Sequence, residues 1–308
     1  MPYPIDEKLV VAVASSALFD LSEPDAVFRS QGEEAYRAHQ RAHECDALPG
    51  GVALPFVRRL LSLNGTDLTD HPVEVVLLSR NDPDTGMRVM RSIETLGLDI
   101  ARAVFTSGRP PWPFLPSFNA SLFLTASPED VREALDLGQP AGCVLHGDFL
   151  DDNQDELRVA FDFDGVLADD AAERIFQEEG LERFQESEKA NAAEPLHPGP
   201  LKRLLEGLSK LQHVEQERSR RDPAYRPRLR TAIVTSRSAP ALERVVTTLR
   251  SWDLRVDQSF FLGGMDKRRV LDVWRPHLFF DDQLANAGST AATVPSVHVP
   301  FGVAGRSR

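Results

Sequence analysis

The sequence predicts an α/β fold built around a largely parallel sheet. Short apolar, β-branched runs alternate with stretches of helical periodicity along most of the chain, which is the pattern of βαβ units. The chain has 308 residues, of which 42% are apolar and 27% charged, a composition typical of globular proteins. This length is sufficient for one large domain or two ordinary ones.

The predicted strands are the short apolar runs, and the predicted helices lie between them where apolar residues recur at helical spacing. The strands in the first half are Leu9–Ala14, Val73–Leu78, Ala103–Thr106 and Leu122–Thr125. Those in the second half are Leu157–Phe163, Thr231–Thr235, Ser259–Leu262, His277–Phe280 and Val297–Val299. The clearest helices are Ala171–Gln185, Leu201–Gln212 and Pro240–Ser251.

The two halves of the chain resemble each other. A separation of 148 positions pairs Phe28 with Phe176, Gly32 with Gly180 and Tyr36 with Phe184. Farther along, LLSRNDPDTGMRVMRSIETLGL parallels IVTSRSAPALERVVTTLRSWDL, and SLFLTA parallels HLFFDD, at a separation of 156 positions. Generic βαβ patterning also produces some similarity. We favour an internal duplication into residues 1–150 and 151–308, of which only the second kept its acidic and basic site residues.

Composition and charge exclude several classes of function. A net charge of −12 without a long basic run argues against a nucleic-acid partner, because binding to a phosphate backbone requires clustered Lys and Arg. The sequence has no apolar run of the length that a membrane span requires and no N-terminal secretion pattern, so we expect a cytoplasmic protein without a membrane partner. Cys45 and Cys143 lack the spacing of a zinc site or a disulfide framework.

A pair of aspartates follows the first strand of the second half, in the segment VAFDFDGVLADD. In an open parallel sheet, ligands bind at the carboxyl ends of the strands, where Asp162 and Asp164 would project. Asp162 would attack phosphorus, while Asp164 would protonate the leaving alcohol and then activate water. The pattern therefore predicts a phosphohydrolase.

A second acidic pair, Asp281 and Asp282, follows the strand His277–Phe280. Several carboxylates and a phosphate require a cation, and oxygen ligands of this kind suit Mg²⁺. We predict Asp162 and Asp281 as direct ligands, the backbone carbonyl of Asp164 as a third, and Asp282 as a ligand bound directly or through water.

Two further residues complete the predicted catalytic set. Thr235 ends a strand, where its hydroxyl and the following amides would bind the transferring phosphoryl group. Lys267, in GGMDKRR, would neutralise phosphate charge and keep Asp162 ionised. Each signal is weak alone, and their order along the chain carries the prediction.

This order of motifs resembles the haloacid dehalogenase superfamily of phosphohydrolases over residues 157 to 300 or so. A narrower resemblance, to the cytosolic 5′-nucleotidase I family, extends along nearly the whole chain through LLSRNDPDTGMRV, GLDIARAVFTSG, LRVAFDFDGVLADD, PGPLKRLLEGLSKLQ, FFLGGMDKRRVL, RPHLFFDDQ and HVPFGV. The resemblance implies a Rossmann-like sheet and hydrolysis of nucleoside 5′-monophosphates, with AMP favoured in the animal enzymes.

Substrate selectivity is expected to come from an insert and from polar loops. The long interval between Asp164 and Thr235 predicts a small helical cap over residues 169–228. Phe163 would stack on a base or belong to the core, and Ser236 and Arg237 would approach phosphate or ribose. Arg80 and Asn81, in the loop Ser79–Gly86, would contact substrate or only begin a helix.

Three rival functions stay open at this stage. The same residues would serve a phosphatase or a phosphotransferase acting on another small phosphate ester. A non-catalytic nucleotide-binding regulator would not need the paired nucleophile and acid. Base preference, effectors and the formation of a homo-oligomer are not determined by the sequence.

Overall fold

The computed structural model describes residues 3–65, 71–147 and 149–305. Its strands are β1 Leu9–Val13, β2 Val73–Ser79, β3 Arg102–Phe105, β4 Leu122–Thr125, β5 Ala141–Leu145, β6 Leu157–Phe161, β7 Leu229–Thr235, β8 Gln258–Phe261, β9 Leu278–Asp281 and β10 Ser296–His298. Within these ranges, no helix is both long and apolar enough to span a bilayer.

The helices lie between the strands, as an α/β fold requires. They are α1 Ser15–Leu18, α2 Ser22–Gln31, α3 Glu33–Ala42, α4 Leu54–Leu61, α5 Met87–Thr95, α6 Pro128–Asp136, α7 Ala171–Ala190, α8 Lys202–Arg221, α9 Leu242–Ser251, α10 Arg268–Trp274, α11 Leu284–Thr290 and α12 Gly302–Gly305. Short 3₁₀ helices occupy Ile5–Glu7, Trp112–Phe118 and Ala239–Ala241.

All ten described strands belong to one sheet, in the order β3-β2-β1-β4-β5-β10-β9-β6-β7-β8. Every neighbouring pair is parallel except β5 and β10, which pair antiparallel. Each half therefore contributes five parallel strands in the same internal order. Because the halves meet through an antiparallel pair, their strands run in opposite directions. The carboxyl ends of the strands of one half therefore lie on the side of the sheet where the strands of the other half begin, and these two sides are called its opposite edges below.

The α/β prediction is confirmed, and the nine predicted strands all form with ends shifted by at most two residues. One strand, β5, was not predicted, although it is the strand that joins the halves. Its register pairs Leu145 with Ser296 and Cys143 with His298. The predicted helix at Ala171–Gln185 extends to Ala190, with non-helical backbone at Gly180.

The hydrophobic core is continuous across the two halves, and its members include residues of β1, β2, β6 and β9. Polar groups also join the halves. The Arg59 guanidinium on α4 donates to Asp151 and Asp152 in the connecting segment, and Arg158 on β6 also donates to Asp152. The division into lobes 1–150 and 151–308 stays a prediction, since both lobes contribute to one sheet and to the same large hydrophobic cluster.

The paired halves share an unusual local geometry. Gly32 separates α2 from α3 with φ 84° and ψ −176°, and Gly180 interrupts α7 with φ 86° and ψ 180°. The aromatic rings flanking each glycine meet edge to face, Phe28 with Tyr36 at 5.7 Å and Phe176 with Phe184 at 6.2 Å. A common origin of the halves stays a hypothesis that these matches support.

The predicted cap insert divides into two different parts. In α8, Leu204, Leu205 and Leu208 are buried in the main core, so this helix packs on the sheet as an ordinary crossover. In contrast, α7 is mostly exposed, and its buried Phe184 and Glu188 face the loop that follows β7. Within the predicted insert, α7 is therefore the part that contacts the loop at the carboxyl end of β7. The cap over residues 169–228 stays a prediction.

Candidate active site

The carboxyl end of β6 places Asp162 beside β9. The Asp162 amide donates to the carbonyl oxygen of Phe280 at 2.7 Å, which continues the sheet pairing by one residue. The Phe163 amide donates to Asp162 Oδ1 at 2.7 Å, which fixes the carboxylate. Asp281 is the last residue of β9, the strand next to β6. Asp162 and Asp281, which are far apart in the sequence, therefore meet at the carboxyl ends of two neighbouring strands.

Three carboxylates form a compact buried cluster at this edge. Oxygen atoms of Asp162, Asp281 and Asp282 lie within 4.8 Å of one another, and the residues are only 5%, 0% and 2% exposed. Gly165 makes room for the third of them. A Cβ at this position would lie 2.5 Å from Asp282 Oδ2, and the backbone has φ +70°, which favours glycine.

Lys267 is the cation of the cluster. Its Nζ donates to Asp281 Oδ2 at 2.6 Å and lies 2.8 Å from Asp162 Oδ2. The two carboxylates raise the pKa of Lys267 despite its burial. Burial, together with repulsion from neighbouring carboxylates, raises the pKa of Asp162 and of Asp282. One ammonium group is thus insufficient to balance three buried carboxylates.

The donor set fits a hard divalent cation. Carboxylate oxygens are the ligands that Mg²⁺ prefers, and three of them converge where burial disfavours their charge. A divalent ion would stabilise the ionised forms of Asp162 and Asp282. Asp281 is oriented for this role, because its Oδ1 accepts from the Gln283 amide at 2.9 Å and leaves Oδ2 facing the cluster. The structure is therefore compatible with metal binding by Asp162, Asp281 and Asp282.

Thr235 is the last residue of β7, and Ser236 begins the turn that follows it. The Thr235 hydroxyl, 1% exposed, accepts from the Arg237 amide at 3.2 Å, which leaves its hydrogen free to be donated. The Gly263 and Gly264 amides donate to the carbonyl oxygens of Arg237 and Ser236 at 3.0 Å each. Ser236 is exposed, so of these two hydroxyl groups only that of Thr235 is buried.

Arg237 is committed to a contact with Asp164. Its Nε and Nη2 donate to the two carboxylate oxygens of Asp164 at 2.7 Å each. Arg237 is 4% exposed, and its guanidinium carbon lies 5.3 Å from the ring centre of Phe163. Although burial alone would lower it, the pKa of Arg237 is raised by the carboxylates of Asp164 and Glu188. In this conformation Arg237 holds the predicted general acid instead of facing open space for a substrate.

Three side chains predicted to bind substrate are not available to a substrate at the Asp162 site. Phe163 is 0% exposed and belongs to the core, because the chain direction after β6 turns its side chain inward. Arg80 and Asn81 follow β2, six strand positions from β6, or roughly 29 Å at ordinary strand spacing. They also lie at the opposite edge of the sheet. Within one chain, we therefore correct the expectation that Arg80 and Asn81 reach the same substrate.

The site contains charged residues that the sequence reasoning missed. Glu188 on α7 accepts from Arg237, and its other oxygen accepts from Arg244 Nη1 at 2.6 Å. Glu173, in the first turn of α7, also faces the site, and burial raises its pKa with a further contribution from Asp164. A sequence signal for Glu188 and Arg244 was present. The separations of 148 and 156 positions that pair the two halves also pair Glu188 with Gln40 and Arg244 with Arg88.

Comparisons with known proteins identify the family of the chain. A family model described as 5′-nucleotidase matches residues 1–306. The chain is 34% identical over 295 residues to the human protein named Cytosolic 5′-nucleotidase 1B, a match that covers 92% of this chain and 47% of the relative. The chain thus spans about half the length of that curated relative. No solved structure gives a significant match.

Proposed function

The chain belongs to the cytosolic 5′-nucleotidase I family, and we propose that it hydrolyses nucleoside 5′-monophosphates, AMP among them, to nucleoside and phosphate. The observation that carries this proposal is the buried group of Asp162, Asp281, Asp282 and Lys267 at the carboxyl ends of β6 and β9. The name of the curated relative also supports a cytoplasmic location, which forms part of the proposal.

Asp162 would carry the phosphoryl group. One of its oxygens attacks phosphorus, the bond from phosphorus to the 5′-oxygen breaks, and an aspartyl-phosphate forms. Lys267, 2.8 Å from Asp162 Oδ2, favours the ionised nucleophile and offsets negative charge on the transferring group. The Thr235 hydroxyl and the amides of the loop that follows it would donate to the phosphoryl oxygens.

Asp164 would move the protons of both steps. It gives a proton to the departing 5′-oxygen and then takes one from the water that cleaves the aspartyl-phosphate. Since both of its oxygens accept from Arg237 here, this contact favours the ionised carboxylate, and protonation of Asp164 has to work against it. The ability of Asp164 to transfer protons therefore depends on the position of the Arg237 guanidinium group.

Asp162, Asp281 and Asp282 would hold Mg²⁺, with the Asp164 carbonyl as a further ligand. When bound, the ion offsets the charge of the phosphate and of the carboxylates around it. Without such an offset, an anionic phosphate would meet three buried carboxylates and a single lysine. Dependence on a divalent cation is thus the expected behaviour, and Mg²⁺ is the proposed ion on the basis of its preference for carboxylate oxygens.

The test is phosphate release from a panel of nucleoside monophosphates and sugar phosphates, each with Mg²⁺ and with chelator. The full chain is compared with Asp162→Asn and, as a matched control, Asp155→Asn, which changes an exposed aspartate of the connecting segment. We expect release from nucleotides with Mg²⁺ for the unmodified chain and the control, and none for Asp162→Asn. Ordinary activity of Asp162→Asn, or release only from non-nucleotide esters, would refute the proposal.

A further inference from the structure

The second segment of α7 reaches the active site through two side chains on one face. Phe184 and Glu188 are four residues apart, so they lie one above the other on the same side of the helix. The Phe184 ring centre lies 5.5 Å from the guanidinium carbon of Arg237, and Glu188 Oε2 accepts from Arg237 Nη1. Arg237 is therefore held between the cap helix and the carboxylate of Asp164.

The charges of this network balance when Glu188 is ionised. Arg237 donates to Asp164 and Glu188, and Arg244 donates to Glu188. Glu188 is 3% and Arg237 4% exposed, so water contributes little to their solvation. Two guanidinium groups and two carboxylates thus neutralise one another. Loss of the Glu188 charge would leave one buried guanidinium group uncompensated, which is strongly unfavourable.

The first half of the chain provides an internal comparison for the helix side of this network. Gln40 on α3 and Arg88 on α5 stand where the second half has Glu188 and Arg244, at the separations of 148 and 156 positions that pair the halves. Arg88 Nη1 donates to Gln40 Oε1 at 3.2 Å, and Gln40 is 2% exposed. A neutral amide therefore suffices to pack this helix against its arginine.

The loop side differs in the same way. Tyr36 donates to Asn81 Oδ1 at 3.2 Å, and Asn81 stands at the position that corresponds to Arg237. The position of Asp164 is taken by Ser16. The half without an acidic pair has neutral groups at all three places, whereas the half with the acidic pair has charged ones. The charge of the cap glutamate therefore accompanies the Arg–Asp pair and is not required by helix packing.

We propose that Glu188 is a positioning residue for the general acid and base. It holds Arg237 from the side opposite Asp164, so the placement of the Asp164 carboxylate depends on the contact between α7 and Arg237. Closure of the cap over a substrate and alignment of Asp164 are thereby coupled through one guanidinium group. This inference rests on the proposed function, because it assigns a role within the same reaction.

The experiment measures kcat and KM for magnesium-dependent phosphate release by the full chain and by Glu188→Gln, Glu188→Asp and Gln40→Ala. The substrates are AMP, whose alkoxide leaving group requires a proton, and 4-nitrophenyl phosphate, whose phenolate does not. We expect Glu188→Gln to lower kcat/KM for AMP by about tenfold or more and to affect the aryl ester much less. Glu188→Asp keeps the charge and should restore part of the loss.

Gln40→Ala is the matched control, because it removes the corresponding contact between helix and arginine in the first half. It should change kcat/KM by less than about twofold while lowering thermal stability as a buried truncation does. Equal losses on both esters by Glu188→Gln, or none on AMP, would overturn the role of Glu188. If the unmodified chain releases phosphate from no nucleotide, the proposed function itself fails. If the unmodified chain hydrolyses nucleotides but not the aryl ester, the test is whether Glu188→Asp recovers part of the kcat that Glu188→Gln loses. No recovery would refute the role of Glu188.

Discussion

Replacement of Asp282 by Asn should stabilise the protein in the absence of a divalent cation and weaken its response to Mg²⁺. Asp282 shares a buried space with two other carboxylates, Asp162 and Asp281, and with a single ammonium group, that of Lys267. Burial raises its pKa, as does repulsion from the neighbouring aspartates. The ionised form of Asp282 is therefore destabilising in the folded protein unless a cation binds.

The magnitude follows from the separation of the charges. Two unit charges at 4.8 Å, the upper limit of the separations in this cluster, interact by about 3.5 kcal/mol at an effective dielectric constant of about 20. Removing the charge of Asp282 deletes two repulsions, with Asp162 and Asp281, and one attraction, with Lys267. The net gain in the free energy of unfolding is close to the energy of one pair, about 3.5 kcal/mol in chelator at alkaline pH.

The same cluster sets the sign of the pH dependence. In the folded protein the pKa values of Asp162 and Asp282 are raised. Between an ordinary carboxyl pKa near 4 and these raised values, the folded state therefore keeps protons that the unfolded state has released. Stability then falls as pH rises, by up to about 1.4 kcal/mol per unit for each group. Asp282→Asn should show a shallower decline over this range.

The assay is denaturant unfolding across pH 5 to 9, with chelator and with Mg²⁺. The control is Glu182→Gln, which removes one negative charge from the exposed surface of α7 and should change stability by less than about 0.5 kcal/mol. Excess Mg²⁺ at about 100 times its dissociation constant would add about 2.7 kcal/mol to the unmodified chain and less to Asp282→Asn. If stability in chelator rises with pH, or if Asp282→Asn is destabilised there, the argument from buried repulsion is wrong.

Three other substitutions test separate parts of the structure. Lys267→Met should abolish turnover. In chelator at pH 8 it should also lower the free energy of unfolding by roughly 3–5 kcal/mol, because it leaves buried carboxylates unpaired. Added Mg²⁺ should recover stability but not activity, and a fully active variant would contradict the role of the lysine. Asn81→Ala should leave kcat/KM within about twofold of the unmodified chain, since its loop and the Asp162 site lie at opposite edges of the sheet. A large loss would show that this loop reaches a substrate. Gly180→Ala should destabilise by about 1–3 kcal/mol, as measured by thermal unfolding, because φ at this position is 86°. Steric conflict is not the cause, since among the described residues, chain neighbours aside, no atom lies within 4 Å of the added methyl group. An unchanged melting temperature would refute the strain argument.

Much of the catalytic group could be predicted because it depends on strand ends and not on details of packing. Asp162 and Asp281 follow apolar strands directly, and parallel neighbours bring such positions together. Phe163 shows the limit of this reasoning. It lies between two site residues in the sequence, yet the chain turns after β6 ends at Phe161, and this turn buries the Phe163 side chain completely. Its ring therefore belongs to the core, although the residues on either side of it face the site.

The strand β5 shows why the junction of the halves could not be predicted. Its sequence, AGCVL, contains Gly142, and glycine weakens a strand signal. The reason for glycine lies on another strand, since a Cβ at position 142 would come within 2.4 Å of Val297 Cγ1 on β10. The antiparallel pairing of β5 with β10 sends Arg80 and Asn81 to the far edge, so their expected proximity to Asp162 depended on a contact that local patterns do not encode.

The first half also has a structural role that does not require chemistry of its own. The strand β10 ends the catalytic set of five, and without a partner it would be an edge strand with unpaired backbone groups. Pairing with β5 removes that edge, while α8 packs against β1 so closely that a Cβ at Gly207 would lie 2.5 Å from Leu9 Cδ1. The catalytic strands and their crossover helix therefore depend on the first half for part of their packing. A half that lacks an acidic pair can be retained for this reason alone, since the antiparallel junction keeps its strand ends away from the Asp162 site.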